Sequence, residues 1–167
     1  MPSLTRETTI RRTADGVWFH DGVAVEHPGV RRAFDCWVDI AEDGRTILKN
    51  DANWAYVQID GAPVFVMHAR VEGEHVELSL SDGRLERLDP ASLREDEEGM
   101  LYCSVRGGRL AARFTRNALV ELGDVLKESE GRVVLELGND RIRWPRVEAP
   151  LDDPRGKATP GPASSQP

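Results

Sequence analysis

Val64-Phe65-Val66-Met67-His68-Ala69-Arg70-Val71-Glu72-Gly73-Glu74-His75-Val76-Glu77-Leu78-Ser79-Leu80 is the stretch on which the fold turns. Two alternating apolar and polar runs flank Gly73-Glu74, which suits a type II′ turn with glycine in its first position. Such a turn pairs Val71 with Val76, Ala69 with Leu78 and Met67 with Leu80, all on one apolar face. His68, Arg70 and Glu72 share the opposite face with Ser79, Glu77 and His75, and Arg70 falls across from Glu77. A period of two with one wet face predicts a half-buried antiparallel sheet.

Outward from this hairpin the same pattern returns. Trp18-Phe19-His20 and Val23-Ala24-Val25 flank Asp21-Gly22, a type I′ pair. Leu101 to Arg106 and Arg109 to Phe114 flank Gly107-Gly108, a register that sets Arg106 opposite Arg109 and Tyr102 opposite Arg113. Two segments have helical period instead. Pro28 suits a first helical position, and Val30, Ala33, Phe34, Trp37, Val38 and Ala41 follow at helical spacing until Glu42-Asp43-Gly44. Thr115 is an N-cap for a second stripe of Ala118, Leu119, Leu122, Val125 and Leu126, closed by Ser129-Glu130-Gly131.

A shift of 87 residues lays Glu42-Asp43-Gly44-Arg45-Thr46-Ile47-Leu48 on Ser129-Glu130-Gly131-Arg132-Val133-Val134-Leu135. The expected fold is therefore α+β: two similar ββαββ lobes of antiparallel strands with one helix each, about 13–63 and 99–148, joined by the central β-hairpin. The expected domains are an N-terminal arm (1–12), an N-terminal lobe with the central hairpin (13–83), an acidic linker (84–98) and a C-terminal lobe (99–151). A Pro-rich tail (152–167) has no Leu, Ile, Val or aromatic residue and is expected to be disordered.

The 167 residues carry a net charge of −7, unevenly spread: the block 13–85 sums to −7, 86–98 to −4 and 99–120 to +4. That last block holds Arg106, Arg109, Arg113 and Arg116 and no acid. Opposed like charges on one sheet face need compensation by solvent, by the acidic linker, or by an acidic ligand or partner. The acidic surroundings argue against nucleic acid. No run is long and apolar enough for a transmembrane helix, and the N-terminus lacks a signal-peptide core, so a cytoplasmic protein that does not seek membranes is expected.

Three stretches resemble a bacterial family, the domain-of-unknown-function 1285 family. They are Asp15-Gly16-Val17-Trp18-Phe19-His20-Asp21-Gly22, then residues 49–66 with Lys49-Asn50-Asp51-Ala52-Asn53-Trp54 and Asp60-Gly61-Ala62-Pro63, then residues 102–114. Asp51-Ala52-Asn53 stands where the family has Val-Glu-Lys. The resemblance implies a two-lobed α+β fold of repeated motifs and a role in small-ligand binding or signalling. It carries over no catalytic residue.

The residues themselves point to no chemistry. His20, His27, His68 and His75 lack metal-ligand spacing, so no metal and no cofactor is expected. There is no nucleophile elbow and no phosphate loop. Cys103 and Cys36 read as packed thiols. An enzyme is the less favoured reading. Trp54 and Trp144 close corresponding strands of the two lobes, and a cleft between lobes is a common ligand site. Lys49, Asn53, Trp54, Arg106, Arg113 and Trp144 form the candidate cleft. The function expected is a binding module that senses an anionic small molecule or acidic partner. The alternative is an adaptor that docks a protein on a sheet edge or the lobe interface.

Overall fold

The computed structural model describes residues 5–148. In chain order the first sheet comprises β1 (Glu7–Arg12), β2 (Trp18–His20), β3 (Val23–Ala24), then after helix α1 (Pro28–Trp37) β4 (Val38–Ile40), β5 (Thr46–Lys49) and β6 (Trp54–Ile59). The second comprises β7 (Val64–Glu72), β8 (His75–Leu80), β9 (Leu85–Arg87), a 3₁₀ turn at Pro90–Ser92, β10 (Arg94–Glu95), β11 (Leu101–Val105) and β12 (Leu110–Phe114). Helix α2 (Arg116–Glu121) leads into a small third sheet of β13 (Leu126–Ser129), β14 (Arg132–Leu137) and β15 (Asp140–Ile142). The class is α+β with two similar lobes, as expected.

Both large sheets have one plan. Their orders are β3-β2-β1-β6-β5-β4 and β10-β11-β12-β7-β8-β9. Each is two successive three-stranded meanders whose first and last strands meet in parallel at the centre, β1 with β6 and β7 with β12. The ββαββ order recurs in β2-β3-α1-β4-β5 and β11-β12-α2-β13-β14. The halves differ in where the strands after the helix go. In the first they return to the sheet of β1; in the second they form the third sheet, because β7 already occupies the free edge of β12.

The sheets thus divide the chain differently from its motifs. Residues 7–12 form a central strand of the first sheet, and the central hairpin belongs to the second. The stretch 84–98 supplies β9 and β10. Asp96 within it is buried, accepting from the Glu98 and Met100 amides and, at 2.9 Å, from the Tyr102 hydroxyl. Burial and this bond push the Tyr102 pKa up to about 12. The Pro-rich segment 152–167 lies outside the described residues.

Turn chemistry decided the hairpins, and neighbours decided the helix ends. Asp21 and Gly22 both have positive φ, 51° and 76°, as a type I′ turn requires. In the central hairpin Val71 pairs with Val76, Ala69 with Leu78 and Arg70 with Glu77. The Arg70–Glu77 ion pair closes at 3.2 Å. Leu80, however, pairs with Val66 and not Met67: a bulge between Val66 and His68 keeps Val64 and Val66 in the core and turns Met67 outward. The β11–β12 ladder ends at Val105 and Leu110, so Arg106 to Arg109 form the turn instead of facing each other as a pair. Both helices stop short of their apolar stripes. Val38 and Ile40 are β-branched and find partners in Leu48 and Thr46 of β5. Likewise Gly123 follows Leu122, and Leu126 to Ser129 pair with β14.

Leu101, Cys103, Val105, Leu110, Ala112 and Phe114 form one wall of the main core, with Val64, Val66, Ala69, Val76, Leu78 and Leu80 beside them. Ala118 and Leu122 from the α2 region and Leu135, Leu137 and Trp144 cover this layer. The core under the first sheet is much smaller: Trp18, Val38 and Leu48 are buried, with Phe34, Trp37, Ile10, Val57 and Ile59 half-buried around them. Helix α1 has no fully buried residue.

Candidate functional site

Two arginines clamp the lobes together. Arg12, wholly buried on β1, donates to the carbonyls of Ala62 and Pro63 and lies 4.7 Å over the Phe65 ring. Burial lowers its pKa to about 10. Arg106 reaches the other way from the β11–β12 turn. Its Nη2 is 2.7 Å from Asp82 Oδ2, its Nε 3.0 Å from the same oxygen, and its Nη1 donates to the Val38 carbonyl at 2.7 Å. Asp82 is fully buried and the Arg106 side chain 5% exposed, so both charges depend on each other for solvation. The Arg106 amide also donates to Glu86. Beside it, exposed Arg109 pairs with Asp39 at 3.0 Å. The two arginines of the turn thus pair with Asp82 and Asp39, and not with the 95–98 acids.

Against this clamp lies a groove of about 580 Å³ on the first sheet's outer face, lined by Asp39, Ile47, Lys49, Trp54, Tyr56, Arg109 and the 40–43 loop. The register explains the gathering. Lys49 pairs with Trp54 and Ile47 with both Tyr56 and Asp39, so all five side chains share one face. The Trp54 and Tyr56 rings meet edge to face at 5.2 Å. Arg6 stacks over Trp54 at 4.6 Å and Arg45 over Tyr56 at 3.6 Å. Arg45 forks onto Glu7 at 2.7 and 2.8 Å, which holds the Glu7 carboxyl below its ordinary pKa. The Tyr56 hydroxyl donates to Asp43 at 2.6 Å, lowering the Asp43 pKa and raising that of Tyr56. The Lys49 ammonium has no hydrogen bond or ion pair among the described residues.

Of the six sequence candidates, the structure brings Lys49 and Trp54 together in this groove. Asn53 adjoins it but is occupied, its side-chain oxygen accepting from Arg6 and from the Trp54 amide. Arg106 is a clamp residue and lines a smaller neighbouring hollow, about 340 Å³, with Lys49, Cys36 and Arg84. Arg113 lies elsewhere, 5.9 Å over Phe65. Trp144 is not across a cleft from Trp54: it is buried in the second core, its indole N–H donating to Glu95 at 3.1 Å. Tyr56 and Arg109 complete the groove and were not among the six. Tyr56 was legible as the i+2 neighbour of Trp54; Arg109 arrives only through the packing of the lobes.

Cys103 is fully buried and its pKa is pushed up to about 12 by burial, as a packed thiol requires. Cys36, expected to be packed, is instead exposed, because α1 is amphipathic over too short a span to bury that edge. Among the described residues no group of three or more His, Cys, Asp or Glu side chains could hold a metal ion, and no helix is long and apolar enough to cross a membrane.

No family model matches the chain, and no curated protein matches it. Two solved structures do. One is a DUF1285 family protein from Silicibacter pomeroyi DSS-3, with a TM-score of 0.60 and 20% identity over 81% of this chain and 79% of that one. The other is a DUF1285 family protein from Shewanella baltica OS155, with a TM-score of 0.55 and 17% identity over 70% of this chain and 91% of that one. The chain therefore has the fold of the domain-of-unknown-function 1285 proteins, the family that its Asp15–Gly22 and 49–66 stretches resemble.

Proposed function

We propose that this protein is a non-catalytic binding module whose groove at the lobe junction takes a small anion with a planar body. The observation that carries the reading is Lys49. It stands unpaired beside the Trp54 indole, while Arg6, Arg45 and Arg109 around it are all engaged. An ammonium without a carboxylate partner is free to meet an anionic group, and Trp54 with Tyr56 offers a surface for the rest of the ligand. Asp39, Glu42 and Asp43 against Lys49 and Arg109 leave the lining net −1, which favours a monoanion over a polyphosphate.

Thermal-shift screening against small aromatic monocarboxylates, with nucleotides as contrast, tests this reading. Saturable stabilisation by a monocarboxylate is expected, with affinity reduced at least about tenfold in Lys49→Ala and in Trp54→Ala and unchanged in Arg113→Ala. A panel without any stabilising compound, or one whose hits ignore both substitutions, would overturn it. Docking of a protein on a sheet edge is the second reading, favoured by Val23 on β3 and Leu85 on β9, 69% and 64% exposed. A partner lost with Leu85→Asp and retained with Lys49→Ala would support that instead.

A further inference from the structure

A separate cleft of about 570 Å³, sharing no residue with the groove, opens between α1 and the start of β7. Its apolar floor is Phe65, Met67 and Leu80. Met67 is there because of the β7 bulge, which takes it out of the core and leaves it 42% exposed. On the other wall Arg31 and Arg32 of α1 are both exposed, and neither guanidinium has a hydrogen bond or ion pair with any described residue. The seam arginines Arg12, Arg106 and Arg109 all have such bonds.

The carboxylates of the cleft, Asp15 and Asp35, form no ion pair with either arginine. Asp35 accepts the Trp18 indole N–H at 2.8 Å, and burial raises its pKa, with Arg31 attracting it at longer range. Asp15 accepts from the Thr13 hydroxyl within its own loop. The floor suits a flexible chain better than a flat ring. Arg12 and Arg113 already lie over the Phe65 ring at 4.7 and 5.9 Å, and a thioether adapts its shape to an alkyl tail. Gly16 keeps this floor open: its φ is +96°, and a Cβ there would lie 3.2 Å from the Phe65 ring.

We infer that this cleft binds a single-chain anionic amphiphile, its alkyl tail on Phe65, Met67 and Leu80 and its carboxylate or phosphate head on Arg31 and Arg32. Calorimetric titration of the full chain with decanoate, decyl phosphate, 1-decanol and acetate, all below micelle-forming concentrations, tests it. Decanoate or decyl phosphate is expected to bind at one saturable site, the tighter of the two identifying the head group, with decanol and acetate at least tenfold weaker. Arg31→Ala/Arg32→Ala should weaken the binding at least tenfold, and Met67→Asp, an exposed position, should do the same. Lys49→Ala should leave it unchanged. Decanol binding as tightly as decanoate, an oligoglutamate peptide competing for the same arginines, or sensitivity to Lys49→Ala in place of Arg31 and Arg32 would each overturn the inference.

Discussion

The two six-stranded sheets share one strand order and differ in what covers them. The second carries its core on one face, roofed by the α2 region and the third sheet, and buries Tyr102 and Ala111 under Ala62 on the other. The first has a core cluster of three buried side chains and a helix without one, and its outer face carries Trp54, Tyr56 and Lys49 in an open groove. A common topology therefore yields a scaffold in one case and a surface in the other. The parallel junction of two meanders fixes which strands are central; only the residues on each face decide whether that centre is sealed.

The largest contrast should be chemical. Cys36 of the first lobe is exposed, whereas Cys103 of the second is fully buried with its pKa near 12. A thiol reagent should label Cys36 promptly and Cys103 only when the second lobe opens, roughly a thousandfold or more slowly. Comparable rates for both would break the comparison. In stability, Phe114→Ala, in the larger core, should cost about 3–5 kcal/mol in denaturant titration, and Phe34→Ala, half-buried, clearly less. Equal losses would mean that the first lobe is packed as firmly as the second.

The seam between the lobes comes next. Asp82→Ala leaves Arg106 buried without its carboxylate and should cost about 3 kcal/mol, whereas Asp82→Leu with Arg106→Met should recover much of that. Additive losses in a double-mutant cycle would show that the clamp is not one unit. The smallest effect concerns Asp35, whose pKa lies above the ordinary 3.8. The folded protein holds that proton more tightly than the unfolded chain does. Its stabilising contribution is complete below 3.8 and is lost as pH rises through the raised value. Asp35→Asn keeps an acceptor for Trp18 and should flatten that part of the stability curve, read by thermal melts from acidic to neutral pH. An unchanged slope would show that the first lobe is too open to disfavour the ionised carboxyl.

Legibility followed the range of the forces. Asp21-Gly22 and Gly73-Glu74 could be read from their residues, because a turn constrains four neighbouring residues and alternation follows from the pleat. The Arg70–Glu77 pair followed from that register. Met67 was misplaced because a bulge costs one residue of register and has no local mark here. The strands Val38–Ile40 and Leu126–Ser129 were hidden inside helical stripes, since an apolar residue at helical spacing, Val38 or Leu126, takes the state set by the strand that reaches it. In the site, Lys49 and Trp54 were named as members of a cleft between lobes, and their pairing across the β5–β6 turn came only with the structure. Trp144 was misassigned because the two lobes place the strands after their helices in different sheets.

The sequence by itself determined the class, the hairpins, the repeated order of elements and the wall from Leu101 to Phe114 that became the main core. Each rests on contacts within about twenty residues or on a period of two. Only the tertiary structure decided which cationic side chains are spent: Arg106 finds Asp82 and Arg12 finds Ala62 and Pro63, while Arg31, Arg32 and Lys49 are left without an ion pair. Charge pairing depends on separations of a few ångströms between segments remote in sequence, and composition cannot specify those distances.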